Sequence, residues 1–154
     1  CFKKEIDYVS RKFDFYKIEK LRNENKKIVF ISCGKSANLE KIEIKNFSGT
    51  IFYTEGIEVF GEGRHIKLPI ETEDTHNYLG ASDFVIIKAG WGTVAEAIHS
   101  KVPMVLLERE GVLEDSHIIN ELKKQKKAIS TKVDELKNLD MEILEQKIMT
   151  LTTD

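Results

Sequence analysis

The sequence has little of what would place it in an oxidising compartment, in a membrane or on a polyanion. Cysteine is scarce, with Cys1 and Cys33 the two in 154 residues. One stands at the terminus and the other at the end of an apolar run, which excludes a disulfide framework and suits a reducing cytosol. No charge of one sign dominates, the formal net charge being -2. That excludes a global pull toward nucleic acid or an anionic membrane and leaves only local basic patches. No apolar run is long enough to span a bilayer. The first 27 residues are charged throughout and lack the apolar core of a secretory signal. There is no internal repeat or low-complexity tract. No His/Cys/Asp spacing matches a metal site, so neither a metal nor a cofactor is expected.

What is present is the balance of an ordinary globular domain. Hydrophobic residues make up 41% and charged residues 32%, and the length fits one compact core. The chain starts at Cys1 rather than Met, which reads as a fragment or a processed chain with a partner domain elsewhere. Residues 1–27 read as a linker or docking segment, with a short strand at 7–10 and a charged helix over 15–25. Residues 28–154 read as the domain proper.

Within that domain, short apolar runs alternate with polar and helical stretches. Ile28-Val-Phe-Ile-Ser-Cys33 has the β-branched, continuous apolar character of a strand buried on both faces. Comparable strands are expected at 50–54, 65–68, 83–87, 103–107 and 128–129. Helices are expected over 75–81, 93–100 and 113–124, with Thr72 or Asp74 capping the first. The tail, 133–150, shows apolar residues at helical spacing. Residues 37–46 leave room for a short helix at most, and 61–63 reads as a loop. The alternation predicts an α/β, Rossmann-like three-layer domain: a mostly parallel sheet with helices on both faces.

In such sheets ligands bind beyond the carboxyl ends of the strands. Lys88-Ala-Gly-Trp-Gly-Thr-Val-Ala-Glu96 lies at such an end. Glycines let a ligand approach the backbone. The first amides of the following helix have no internal partners, and the helix dipole favours an anion there. Thr93 adds a hydroxyl and Lys88 a positive charge, so a diphosphate suits the turn. Glu96 lies about one turn, ~5.4 Å, further along, where a carboxylate can accept both hydroxyls of a cis-diol such as ribose. The bland alternative is that Thr93 and Glu96 form a capping box. Trp91 either stacks on a base or sugar or packs against the next helix. His65 and His76 read as surface or satisfied histidines, and His99 as a residue late in a helix. Lys123-Lys-Gln-Lys-Lys127 is either a solvated helix end or a weak contact with an anionic surface.

The same segment, extended through Ala97-Ile98 and Val102-Pro-Met-Val-Leu-Leu107, resembles the C-terminal, donor-binding domain of GT-B glycosyltransferases. It is similar to the bacterial enzymes that add N-acetylglucosamine to lipid I. Plant secondary-product glucosyltransferases share the Gly-Trp pair, a hydroxyl residue, the Glu and a Pro-Met-Val strand. Glu114-Asp-Ser-His-Ile-Ile-Asn120 resembles the family's acidic segment opening the next helix. The resemblance implies that Gly90, Gly92, Thr93 and Lys88 hold the diphosphate and Glu96 the ribose. It implies Asp115 and His117 at the donor sugar, the main chain near Ile70 at the base, and Gly34 and Ser36 in a first Gly-rich loop. Two departures stand out. The first loop has only Gly34, with Lys35 and Ser36, where the family has a glycine pair and a full helix. His117 stands where many relatives have Gln, and it titrates near neutral pH.

The function implied is the donor half of a glycosyltransferase. It would move a sugar from a nucleoside diphosphate sugar, with UDP the expected nucleotide, to a hydroxyl acceptor without a metal. The general base would come from an absent N-terminal acceptor domain, so no catalytic residue is assigned in this chain, which alone would transfer little sugar. Three alternatives stand beside it: a separate donor subunit docked on a membrane-bound partner, a nucleotide-sugar hydrolase or epimerase, and a non-catalytic nucleotide-binding module. A cytoplasmic location follows, with any contact at the inner face of the membrane made through the partner half.

Overall fold

The structure is a computed structural model that describes residues 11–34, 39–109 and 112–151. Its main sheet contains β1 (Ile28–Ser32), β3 (Thr50–Tyr53), β5 (Arg64–Lys67), β6 (Phe84–Lys88), β7 (Met104–Glu108) and β8 (Ala128–Lys132). They lie in the order β5-β3-β1-β6-β7-β8, and every pairing is parallel. The continuous apolar runs are the central strands. Val29, Ile31, Val85, Ile86, Ile87, Val105, Leu106 and Leu107 are fully or almost fully buried, as a sheet covered on both faces requires.

One face is covered by helices. Ile28, Phe30, Phe52, Val85, Ile87, Met104 and Leu106 meet apolar residues of α1 (Phe15–Glu24), α2 (Thr75–Gly80), α3 (Trp91–His99) and α4 (Leu113–Lys124). The charged segment before β1 contains α1, which packs onto this face. Ile18 of α1 is buried, and Phe13 and Leu21 pack against the same cluster.

The opposite face carries α6 (Met141–Ile148), a single-turn α5 (Val133–Leu136) and a second small sheet. That sheet consists of β2 (Lys41–Lys45), β4 (Glu58–Gly61) and β9 (Asn138–Asp140) in the order β4-β2-β9, again all parallel. The layered α/β architecture is as expected from the alternation, but this sheet corrects three local expectations. Residues 41–45 form a strand rather than a short helix, because Lys-Ile-Glu-Ile-Lys alternates with period two and buries Ile42 and Ile44 on one face. Residues 58–61 are a strand that leads into the 61–63 turn. The tail is broken by β9, because Leu139 is drawn into the core as a strand residue beside Ile44. The strand expected at 7–10 lies outside the described residues.

The chain leaves β1 toward β3 and β5 on one side, then returns to β6 on the other. The order therefore reverses between β1 and β6, and the crevice beyond their carboxyl ends is where ligands of open α/β sheets bind.

Candidate functional site

The carboxyl ends of β1 and β6 meet at this reversal. Gly34 follows β1 with φ +70°, a left-handed conformation that glycine adopts without strain. The ammonium of Lys88, at the end of β6, lies 3.5 Å from where a Cβ on Gly34 would stand. The structure thus joins two residues that the sequence put in separate loops. Ser36 and Lys35, also expected in the first loop, lie outside the described residues.

From Lys88 the chain turns at once. The Gly90 amide donates to the Lys88 carbonyl at 2.8 Å, and Gly90 becomes the N-cap of α3. Among the described residues no side chain caps this helix. The expected start at Thr93 is corrected: α3 begins two residues earlier, at Trp91, so Gly92 and Thr93 sit in its first turn. The Gly90 carbonyl accepts from Val94 at 3.0 Å. Gly92 and Thr93, ahead of Val94, are first-turn residues, whose amides an α-helix does not itself bond.

Gly90 and Gly92 differ from other glycines in the chain. Neither has a positive φ, and a Cβ on either would meet nothing within 4 Å. Gly80, by contrast, is crowded by Ile18 and Phe13. Neither conformation nor packing among the described residues requires glycine at 90 or 92.

Thr93 is half-buried and Glu96 is 5% exposed. The capping-box alternative fails, because Glu96 does not reach back to the helix start. Its carboxylate accepts two hydrogen bonds from Arg11, Nε to Oε2 at 2.8 Å and Nη2 to Oε1 at 2.7 Å. The third nitrogen of Arg11, Nη1, donates to Thr75 Oγ1 at 2.9 Å and to the Glu73 carbonyl at 3.2 Å. The loop between β5 and α2 is thereby tied to the side of α3. Ile70 lies in that loop, 73% exposed, just inside a turn closed by Thr72 N–H to the Pro69 carbonyl. Asp74 begins α2 without capping it. Burial alone would raise its pKa, but hydrogen bonds from Lys17 and Asn77 outweigh this and hold it below the usual value.

Trp91 is half-buried and packs against the helical core cluster. Asp115, in the first turn of α4, is 2% exposed and receives Arg109 Nε at 2.5 Å and Nη2 at 2.7 Å. The hydrogen bond to Asp115 raises the Arg109 pKa further. His117 is exposed two residues further along the same helix. No sequence pattern singles out Arg11 or Arg109. The Arg11 to Glu96 separation of 85 residues leaves no local signal, and Arg109 sits in a loop outside any pattern.

The remaining histidines are structural. His65 Nε2 is 2.8 Å from the Glu62 carbonyl, His76 Nε2 is 2.7 Å from the Lys12 carbonyl, and His99 stacks on Phe13. Cys33, buried at the end of β1, has its thiol pKa pushed by burial up to about 12. Among the described residues, no group of three His, Cys, Asp or Glu is placed to hold a metal, and no helix is long and apolar enough to cross a membrane.

The glycosyltransferase SnogD from Streptomyces nogalater superposes with a TM-score of 0.57 at 16% identity, covering 78% of this chain and 34% of its own. The calicheamicin glycosyltransferase CalG4 superposes at 0.50 and 12% identity, covering 81% and 34%. At these identities the likeness concerns the fold, and the chain spans about a third of either structure. No curated protein matches the sequence. The model of the glycosyltransferase family 28 C-terminal domain matches residues 15–154. With nearly the whole chain covered, and a parallel sheet ending in a Gly-rich helix start, the protein belongs to the family of glycosyltransferase family 28 C-terminal domains.

Proposed function

We propose that this domain binds the donor of a glycosyl transfer, a nucleoside diphosphate sugar with UDP as the nucleotide, and stabilises the diphosphate as it leaves. The observation that carries this reading is the pair Gly90 and Gly92. Both stand at the start of α3, after Lys88, with no need for glycine among the described residues. A ligand that comes against the backbone supplies that need.

In this reading the amides at the start of α3, with Thr93 and Lys88, receive the diphosphate. Negative charge grows on the leaving phosphate as the glycosidic bond breaks, and fixed amide dipoles stabilise it without reorganising. Glu96 accepts the ribose hydroxyls, the main chain near Ile70 meets the base, and Asp115 and His117 stand toward the sugar. The acceptor and its general base belong to a second domain or partner subunit.

Calorimetric titration of UDP into the chain, repeated with Glu96→Ala and Lys88→Ala, tests the reading. Each variant is expected to weaken binding by about tenfold or more, the loss of a charge-assisted hydrogen bond. Unchanged affinity in both variants would remove these residues from the nucleotide site.

A further inference from the structure

We propose that Arg11 is a latch that occupies the ribose carboxylate until donor arrives. The inference rests on the reading of Glu96 given above. Arg11 presents two parallel N–H donors to both oxygens of Glu96, at 2.8 and 2.7 Å. A ribose cis-diol would present two O–H donors to the same two oxygens. The guanidinium is therefore an internal mimic of the diol, and the two compete for one acceptor. Glu96 has 7% of its side chain exposed under Arg11, whereas Arg11 itself has 37% exposed. The donor reaches the carboxylate by displacing the arginine, and the arginine has solvent to move into.

Arg11 belongs to a strap, residues 11–14, that runs over α2 and α3. The Lys12 carbonyl meets His76 Nε2 at 2.7 Å, and the Asp14 amide donates to Asn77 Oδ1 at 2.8 Å. Phe13 lies edge-on to His76 and stacked on His99, with ring centroids 5.2 and 5.3 Å apart. Glu96 and His99 are three residues apart, so they share a face of α3. Arg11 and Phe13, two apart on the strap, grip that face. Lys17 pairs with Asp74 at the start of α2. These fasteners hold the strap whether or not Arg11 is engaged, so release needs only the guanidinium to swing away. Its bonds to Thr75 Oγ1 and the Glu73 carbonyl set its closed position. Coupling is reciprocal: donor binding frees Arg11, and whatever holds Arg11 away from Glu96 tightens donor binding.

The test is calorimetry with UDP and, separately, inorganic pyrophosphate, which does not extend to Glu96. The chains are wild type, Arg11→Ala and Thr75→Val, the last loosening the closed position without touching Glu96, with thermal melts alongside. If the latch is closed about nine-tenths of the time, Arg11→Ala binds UDP about tenfold more tightly. Thr75→Val shifts affinity the same way by less, and pyrophosphate binding is unchanged. If Arg11 is only a structural fastener, its removal lowers the melting temperature and leaves UDP affinity unchanged, which overturns the latch. UDP binding that weakens in Arg11→Ala also overturns it, since Arg11 would then be orienting Glu96. Both results leave the donor site standing provided Glu96→Ala still loses UDP. If no chain binds UDP, the donor site and the latch fall together.

Discussion

The Lys88 ammonium lies over Gly34, 3.5 Å from the position of a Cβ on that glycine. This contact joins β1 and β6 where the strand order reverses. It also sorts two effects of substitution. Gly34→Ala adds a methyl in ordinary contact with Lys88 but must hold φ at +70°, a cost of about 1 kcal/mol. Gly34→Val adds carbons that push Lys88 aside. Urea unfolding and UDP titration together are expected to show a stability loss in both variants and an added loss of affinity in Val alone. Equal affinities would show that the position of Lys88 is irrelevant to the ligand.

Gly92→Ala is expected to separate stability from binding. Gly92 has a helical neighbourhood, no positive φ and open space at its Cβ. Alanine there is expected to raise stability by up to about 1 kcal/mol while it weakens UDP binding about tenfold, ~1.4 kcal/mol. A melting temperature that falls would mean that the fold itself requires this glycine.

Arg109 and Asp115 form a pair whose carboxylate is 3% exposed. Arg109→Ala leaves that charge buried and is expected to cost on the order of 3 kcal/mol, read from the shift in urea midpoint. Asp115→Asn keeps a hydrogen-bond acceptor and is expected to cost less. A change below about 0.5 kcal/mol for Arg109→Ala, the range of ordinary surface substitutions, would show that the pair contributes nothing to the packing of α4.

Cys33 is expected to resist thiol reagents. In a Cys1→Ser chain at pH 8, labelling requires unfolding, because burial holds the thiol pKa up at about 12. The folded value lies above the unfolded one, so the folded state keeps the proton that the unfolded state loses. Stability attributable to Cys33 is complete below about pH 8.5 and falls by up to about 1.4 kcal/mol per pH unit above it. Urea titrations between pH 8 and 10 are expected to show this slope in wild type and its loss in Cys33→Ala. Rapid labelling of the folded chain would contradict the burial.

Lys101 has φ 58° just past the end of α3, with Val102 N–H bonded back to the Ala97 carbonyl at 3.0 Å. That position favours glycine at a helix C-terminus. Lys101→Gly is expected to raise stability by about 1 kcal/mol, measured by thermal melting, with UDP affinity unchanged. A destabilised variant would show that the lysine side chain contributes more than its backbone strain.

Legibility followed locality. β1, β6 and β7 are runs of apolar residues bounded by polar ones, and Leu113–Lys124 is an amphipathic period, so these elements could be read directly. The second sheet could not. Its three strands are three to five residues long, and β9 exists only because β2 pairs with it across some ninety residues of chain. The turn at 88–96 was readable because strand, glycines and helix are contiguous. The helix nevertheless begins two residues before the expected Thr93, since Trp91 reads as a turn residue until core packing draws it into the helix. The arginines on Glu96 and Asp115 were invisible, because nothing local distinguishes a paired carboxylate from an open one.

A nucleoside diphosphate bound at the start of α3 and the loops beside it would be read in an amide chemical-shift map of the labelled chain, titrated with UDP. The expected result is saturable shifts concentrated at Gly34, Lys88, Gly90 to Val94, the turn around Ile70, and Arg11 and Glu96. Shifts confined to other surfaces, or none at millimolar UDP, would contradict it.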